Sequence, residues 1–234
     1  MPHLLVAGHF GAGNLGDDAI LLGFASGLNS GEFDMTVMSG SPEETFRNFG
    51  FRSIPRKDMA AFEKALPSCD ALVFAGGSIF QDVTSVKSVG FYSQLVAKAK
   101  KAGKKVIMLG QGVGPLNTFF GKRWATAAYN CSEAIVVRDA ASISTLKSLG
   151  VKAPIRLGAD MAFLLPEPQG NEDAQGFNVG DMKTVGIAPR PWGKDKKFVV
   201  SLFAEVAKLL FQAKMMPVLI EMDREHDHQL ILEI

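Results

Sequence analysis

The sequence predicts an α/β fold around a parallel sheet, and three observations predict it. Short β-branched or Leu-rich runs alternate with helical stretches along most of the 234 residues, the alternation expected of βα units. Most of the strand runs are apolar throughout, as strands covered on both faces are. Glycine-rich turns follow the first, fourth and fifth strands, at the strand ends where open α/β sheets bind ligands.

The strands expected on this pattern are Leu4 to Gly8, Met35 to Met38, Phe51 to Ile54, Ala71 to Phe74, Lys105 to Leu109, Ala134 to Val137 and Ile155 to Leu157. Between them, Asp17 to Leu28, Ser41 to Phe49, Asp58 to Leu66, Val89 to Ala102, Phe119 to Asn130 and Asp139 to Leu149 carry helical spacing or capping residues. Gly103 and Gly150 stand where two of these helices should stop. The stretch 166–181 is poor in apolar residues and rich in Pro, Gly, acids and amides, which marks a linker between a first domain, 1–165, and a second that opens at 182. That second module offers strand Thr184 to Ala188, a helix from about Phe198 to Gln212, strand Pro217 to Glu221 and a last helix. Two strands do not close a domain, so 182–234 reads as the start of one.

With 47% hydrophobic and 21% charged residues, the chain can bury a sizeable core, which excludes extensive disorder. Lys+Arg 25 against Asp+Glu 24 leaves a formal net charge of +1, so there is no global field for nucleic acid and any anionic ligand needs a local site. Cys69 and Cys131 lack metal-type spacing and read as two buried thiols. No apolar stretch approaches the roughly 18 residues of a membrane span, and the expected compartment is the cytoplasm. Nothing in the pattern calls for a cofactor or a metal.

Five motifs carry polar chemistry. The turn from His9 to Asp18 holds a literal G-x-G-x-x-G at Gly11, Gly13 and Gly16. Asp17 and Asp18 in the following helical turn would repel a pyrophosphate, and the second strand ends in Met38-Ser39-Gly40 without a ribose-binding acid, so a nicotinamide or flavin site is disfavoured. Asn14 with a carboxylate suits sugar hydroxyls instead; a tight turn capped by Asp17 is the structural alternative. Gly76-Gly77-Ser78 with Asp82, and Gly110-Gln111-Gly112, follow strands in the same way and together suggest a ligand cleft. Arg138, ending a buried strand, reads as a structural clamp on a neighbouring carboxylate or carbonyl, and Asp160, similarly placed after the seventh strand, also reads as structural. Arg190, in a Pro-stiffened turn, is placed for a carboxylate or phosphate. His226 and His228 read as a charged helix start rather than metal ligands, because i, i+2 spacing puts the imidazoles on different faces.

The segment Gly8 to Leu22, Gly76 to Asp82, Gln111-Gly-Val-Gly-Pro115, Val137-Arg-Asp139 and Asp160-Met-Ala-Phe163, in that order, resemble the polysaccharide pyruvyl transferase family across nearly the whole chain. The resemblance implies two Rossmann-like domains in a glycosyltransferase-B-like arrangement. It also implies phosphoenolpyruvate as donor on the second domain, held by an Arg matching Arg190, and a lipid-linked sugar acceptor. Transient contact with the inner face of the membrane would follow from such an acceptor. The family's later Arg-x-His motif, whose His donates a proton, is absent from this sequence, so the donor domain is expected to be incomplete. Acceptor contacts are then expected from Gly11, Gly13, Asn14, Gly16, Asp17, Gly76, Gly77, Ser78, Asp82, Gln111 and Gly112. The catalytic base stays open among Asp17, Asp18 and Asp82. A nucleotide-sugar glycosyltransferase of similar architecture and a non-catalytic glycan- or phosphate-binding domain are the alternatives.

Overall fold

The structure, a computed structural model, describes residues 1–28, 31–83, 85–167, 182–190 and 195–234. The chain divides into two compact units, Met1–Ala12 with Gly16–Pro166, and Gly13–Leu15 with Glu167–Ile234.

The first unit is built on seven parallel strands, β1 (His3–Ala7), β2 (Asp34–Ser39), β3 (Ser53–Pro55), β4 (Ala71–Phe80), β5 (Lys105–Val113), β6 (Ala134–Val137) and β7 (Ile155–Leu157), in the order β3-β2-β1-β4-β5-β6-β7. Six helices connect them: α1 (Leu15–Ser26), α2 (Pro42–Phe49), α3 (Met59–Ala65), α4 (Val86–Lys101), α5 (Phe119–Asn130) and α6 (Ala140–Ser148). Strand periodicity divides the core between the two faces of the sheet. Leu5, Leu72 and Phe74 face a cluster with Phe62 of α3, Leu95 of α4, Tyr129 of α5 and Leu146 of α6. Their neighbours Leu4, Val6 and Val73 face Ile20, Leu21 and Phe24 of α1. Each fully buried Leu or Phe contributes about 1.5 to 3 kcal/mol of transfer free energy, which is what holds so apolar a sheet between helices.

The capping residues set the helix starts. Ser85, Thr118 and Asp139 accept from Lys87 N, Gly121 N and Ser142 N, so α4 begins three residues before the expected Val89. Asp17 does not cap α1, which opens two residues earlier at Leu15 and leaves Asp17 and Asp18 in its first turn. Gly76-Gly77 and Gly110, expected as turns, instead continue β4 and β5 as irregular strand. Positive φ at Gly76 and Gly77 kinks β4, and the register with β5 shifts between Gly77 and Phe80. Cys69 is buried as expected but Cys131 is exposed, because it follows the last turn of α5 on the outer surface.

The second unit contains a parallel pair, β8 (Lys183–Ile187) and β9 (Met215–Leu219), joined through α7 (Lys196–Gln212) and followed by α8 (Arg224–Ile231). This is a βαβ unit. Of the expected linker, residues 168–181 lie outside the described residues, as do residues 191–194 beyond Arg190.

Candidate functional site

In the first unit the strand order reverses between β1 and β4, the place where a doubly wound sheet leaves a crevice at its carboxyl edge. The turn after β1, the Gly76–Ser78 kink of β4 and the Gly110–Gly112 end of β5 all reach that edge. Tyr92 of α4, buried beneath it, donates its hydroxyl to Gly8 O at 3.1 Å. Gly11 N donates to Asp18 Oδ1 at 3.3 Å, and burial raises the Asp18 carboxyl above its ordinary range against that hydrogen bond. Asp17, half-buried, lies on the side of Gly77, where a built Cβ would be 3.8 Å from its Oδ1.

Gln111 is fully buried. Its Nε2 donates to Gly76 O at 2.8 Å, Phe74 O at 3.1 Å and Leu109 O at 3.3 Å, taking up carbonyls where the kinked ladder opens. Its Oε1 is buried with no partner among the described residues. Ser78 Oγ accepts from Arg138 Nη2 at 2.9 Å, and Arg138 Nη1 donates to Asp160 Oδ2 at 2.8 Å. Arg138 is thus a clamp, as expected, and the structure supplies its partners, Asp160 and Ser78. It ties β4, β6 and the turn after β7 together, with Asp160 also capping the short turn Met161–Leu164. Gly112 makes room for it, since a Cβ there would stand 2.9 Å from Arg138 Nε and against Ser78 Oγ.

Asp82 is almost fully buried and engaged with the loop before α5. Oδ1 accepts from Asn117 N at 2.7 Å, while Oδ2 accepts from Thr118 N at 2.7 Å and Thr118 Oγ1 at 2.5 Å. Burial acts to raise its pKa, but these bonds outweigh it and hold the carboxyl below the usual range. The geometry makes Asp82 an anchor joining the ends of β4 and β5 to α5.

The second unit groups Asn14, Arg190, Asp223 and His226. Asp223 is buried and caps α8. Its Oδ2 accepts from Asn14 Nδ2 at 3.2 Å and lies 3.9 Å from Arg190 Nη2, and its Oδ1 lies 3.0 Å from His226 Nδ1. Burial opposes ionisation of Asp223, yet the bonds from His226 and Asn14 keep its pKa lowered. The Asp223 carboxylate in turn raises the His226 pKa. The result is an exposed guanidinium and an imidazole of raised pKa beside one carboxylate, an arrangement that can bind an anion and move a proton. His228 pairs separately with Glu221 at 2.7 Å. Among the described residues no His, Cys, Asp and Glu cluster could hold a metal ion, and no helix is long and apolar enough to cross a membrane.

Sequence reasoning did not single out Asp223 or Arg56. Asp223 carried a signal, an acid three residues before a His at a helix start. Arg56 follows Pro55 at the carboxyl end of β3, a position open to the same reading as Arg138 and Arg190.

A doubly wound parallel sheet with polar side chains gathered at its carboxyl edge, followed by a βαβ unit bearing an Arg, Asp and His cluster, defines an α/β protein of Rossmann-like order. The model of the polysaccharide pyruvyl transferase family matches residues 14–233, and the chain belongs to that family. No curated protein matches it. Among solved structures it is similar to the ADP-heptose lipopolysaccharide heptosyltransferase II of E. coli, with 15% identity and a TM-score of 0.43 over 100% of this chain and 69% of that one.

Proposed function

We propose that the protein transfers the pyruvyl group of phosphoenolpyruvate to a sugar of a cell-envelope polysaccharide precursor, forming a cyclic ketal. The observation that carries this reading is membership of the pyruvyl transferase family across residues 14–233. Protonation of the enol methylene makes the adjacent carbon electrophilic; one sugar hydroxyl adds, a second displaces phosphate, and both hydroxyl protons must leave. Such a reaction needs an anion clamp and groups that hold and release protons. Arg190 is our clamp for the donor's carboxylate or phosphate. His226, with its pKa raised by Asp223, is our proton-handling group in the same unit as Arg190. The acceptor is a lipid-linked saccharide met at the inner face of the membrane.

The test is incubation of this chain, and of the longest natural form of the protein, with phosphoenolpyruvate and a lipid-linked N-acetylmannosaminyl disaccharide. Product mass and released phosphate are followed. A ketal product, with Arg190→Ala raising KM for phosphoenolpyruvate, supports the proposal. Binding of uridine nucleotides without any ketal product from either form refutes it in favour of glycosyl transfer.

A further inference from the structure

A cleft of about 740 Å³ opens at the carboxyl ends of β2 and β3, bounded by Ser39, Gly40, Arg56, Lys57 and Asp58 among others. Its size is that of a small-molecule site. Arg56 is only 8% exposed, and its backbone is fixed by donation to Ser39 O at 2.7 Å. Its Nη1 is buried with no hydrogen-bond partner among the described residues. Nor does any described carboxylate approach it within the 4.0 Å of an ion pair. The nearest acid in sequence, Asp58, turns its Oδ1 to Ala60 N at 2.9 Å and Ala61 N at 3.0 Å, capping α3. Exposed Lys57 adds a second cation to the same wall.

A buried charge without a partner is costly, and protein interiors keep such charges paired. Arg56 lines the cleft, so an anion bound there would offset the cost of its charge. We infer that this cleft is an anion-binding site in which Arg56 grips a phosphate group. A phosphate suits the wall because it offers the guanidinium two oxygens at once and further oxygens to Lys57, while the Asp58 carboxylate is engaged in capping α3. The charge of Arg56 also reaches the buried Tyr92 hydroxyl. Burial pushes that hydroxyl up to about 12; the Arg56 charge opposes the rise and the Asp17 charge adds to it. Resting on the pyruvyl transfer reading, the phosphate is that of the acceptor's glycosyl diphosphate; phosphoenolpyruvate and inorganic phosphate present the same chemistry.

Binding is measured by calorimetry, without turnover, using a soluble short-chain glycosyl diphosphate, phosphoenolpyruvate and inorganic phosphate. The proteins are the natural sequence, Arg56→Met and Arg56→Lys. The expected result is that the glycosyl diphosphate binds best, and that both substitutions weaken it by about tenfold or more. With no ligand, Arg56→Met should melt at or above the natural protein, since removing an unpaired buried charge relieves a cost. Arg56-dependent binding of phosphoenolpyruvate alone keeps the phosphate site and assigns it to the donor. Unchanged affinity in both variants, no binding of any probe, or a ligand-free Arg56→Met melting several degrees lower would each overturn the inference. Arg56-dependent binding without ketal product would sink the pyruvyl transfer reading and leave this site standing.

Discussion

Replacing Asp82 tests whether this acid anchors a loop or acts on substrate. Three donors meet its carboxylate, one on Oδ1 and two on Oδ2. Asp82→Asn preserves volume and one acceptor, but sets an amide nitrogen against at least one donor. Hydrogen bonds to charged groups are worth about 1.5 to 3 kcal/mol each, and a stranded buried N–H costs about 1 to 3. Offset by the smaller desolvation of a neutral amide, the net loss should be about 2 to 4 kcal/mol, within the roughly 5 to 15 kcal/mol of an ordinary domain. Asp82→Ala loses all three bonds and should cost more. Urea denaturation followed by circular dichroism reads both. Because the folded pKa of Asp82 is depressed, its stabilisation is full above the unfolded carboxyl pKa and is lost as pH falls through the folded value. The gap between natural and Asn proteins should therefore close on acidification. Equal urea midpoints at neutral pH would refute the anchor, and with loss of transfer activity would make Asp82 a catalytic residue instead.

Three further outcomes follow from the same geometry. Arg138→Ala removes the bonds to Ser78 and Asp160 and strands a half-buried carboxylate, so it should lower stability by about 2 to 3 kcal/mol in urea titrations. The Asp223–His226 pair should stabilise the second unit most between the depressed Asp223 pKa and the raised His226 pKa. Its contribution fades as pH rises through the folded His226 value and as pH falls through the folded Asp223 value; pH-dependent melting that is the same in His226→Ala would contradict this. Under native conditions a thiol reagent should label Cys131 readily and Cys69 only after unfolding, since burial shields Cys69 and pushes its thiol pKa up.

Much of the first unit was legible because its signals are local. Apolar runs of strand length, Ser and Asp caps and terminal glycines need only neighbouring residues to act, and they located β1, β6, β7 and α5 closely. The clamp role of Arg138 was legible for a related reason, since residues at neighbouring strand ends of a parallel sheet meet at one edge, but its partners Asp160 and Ser78 emerged only from the structure. The errors arose where a local rule met a long-range partner. Glycine after a strand usually means a turn, yet pairing with β5 carried β4 on to Phe80. Asp17 looked like a cap, but the helix opened earlier.

By itself the sequence determined the α/β alternation, the candidate glycine-rich edge and the family resemblance, since composition and spacing act over a few residues. Only the tertiary structure decided what the polar groups do. It turned the Gln111 amide inward onto three carbonyls, spent Asp82 on the loop before α5, and left Arg56 buried with no acid in ion-pair range among the described residues. It joined Asn14 to Asp223 across 209 positions of sequence. Burial and hydrogen-bond partners are properties of packing, and a residue's neighbours in space are set by the topology of the sheet rather than by its neighbours in the chain.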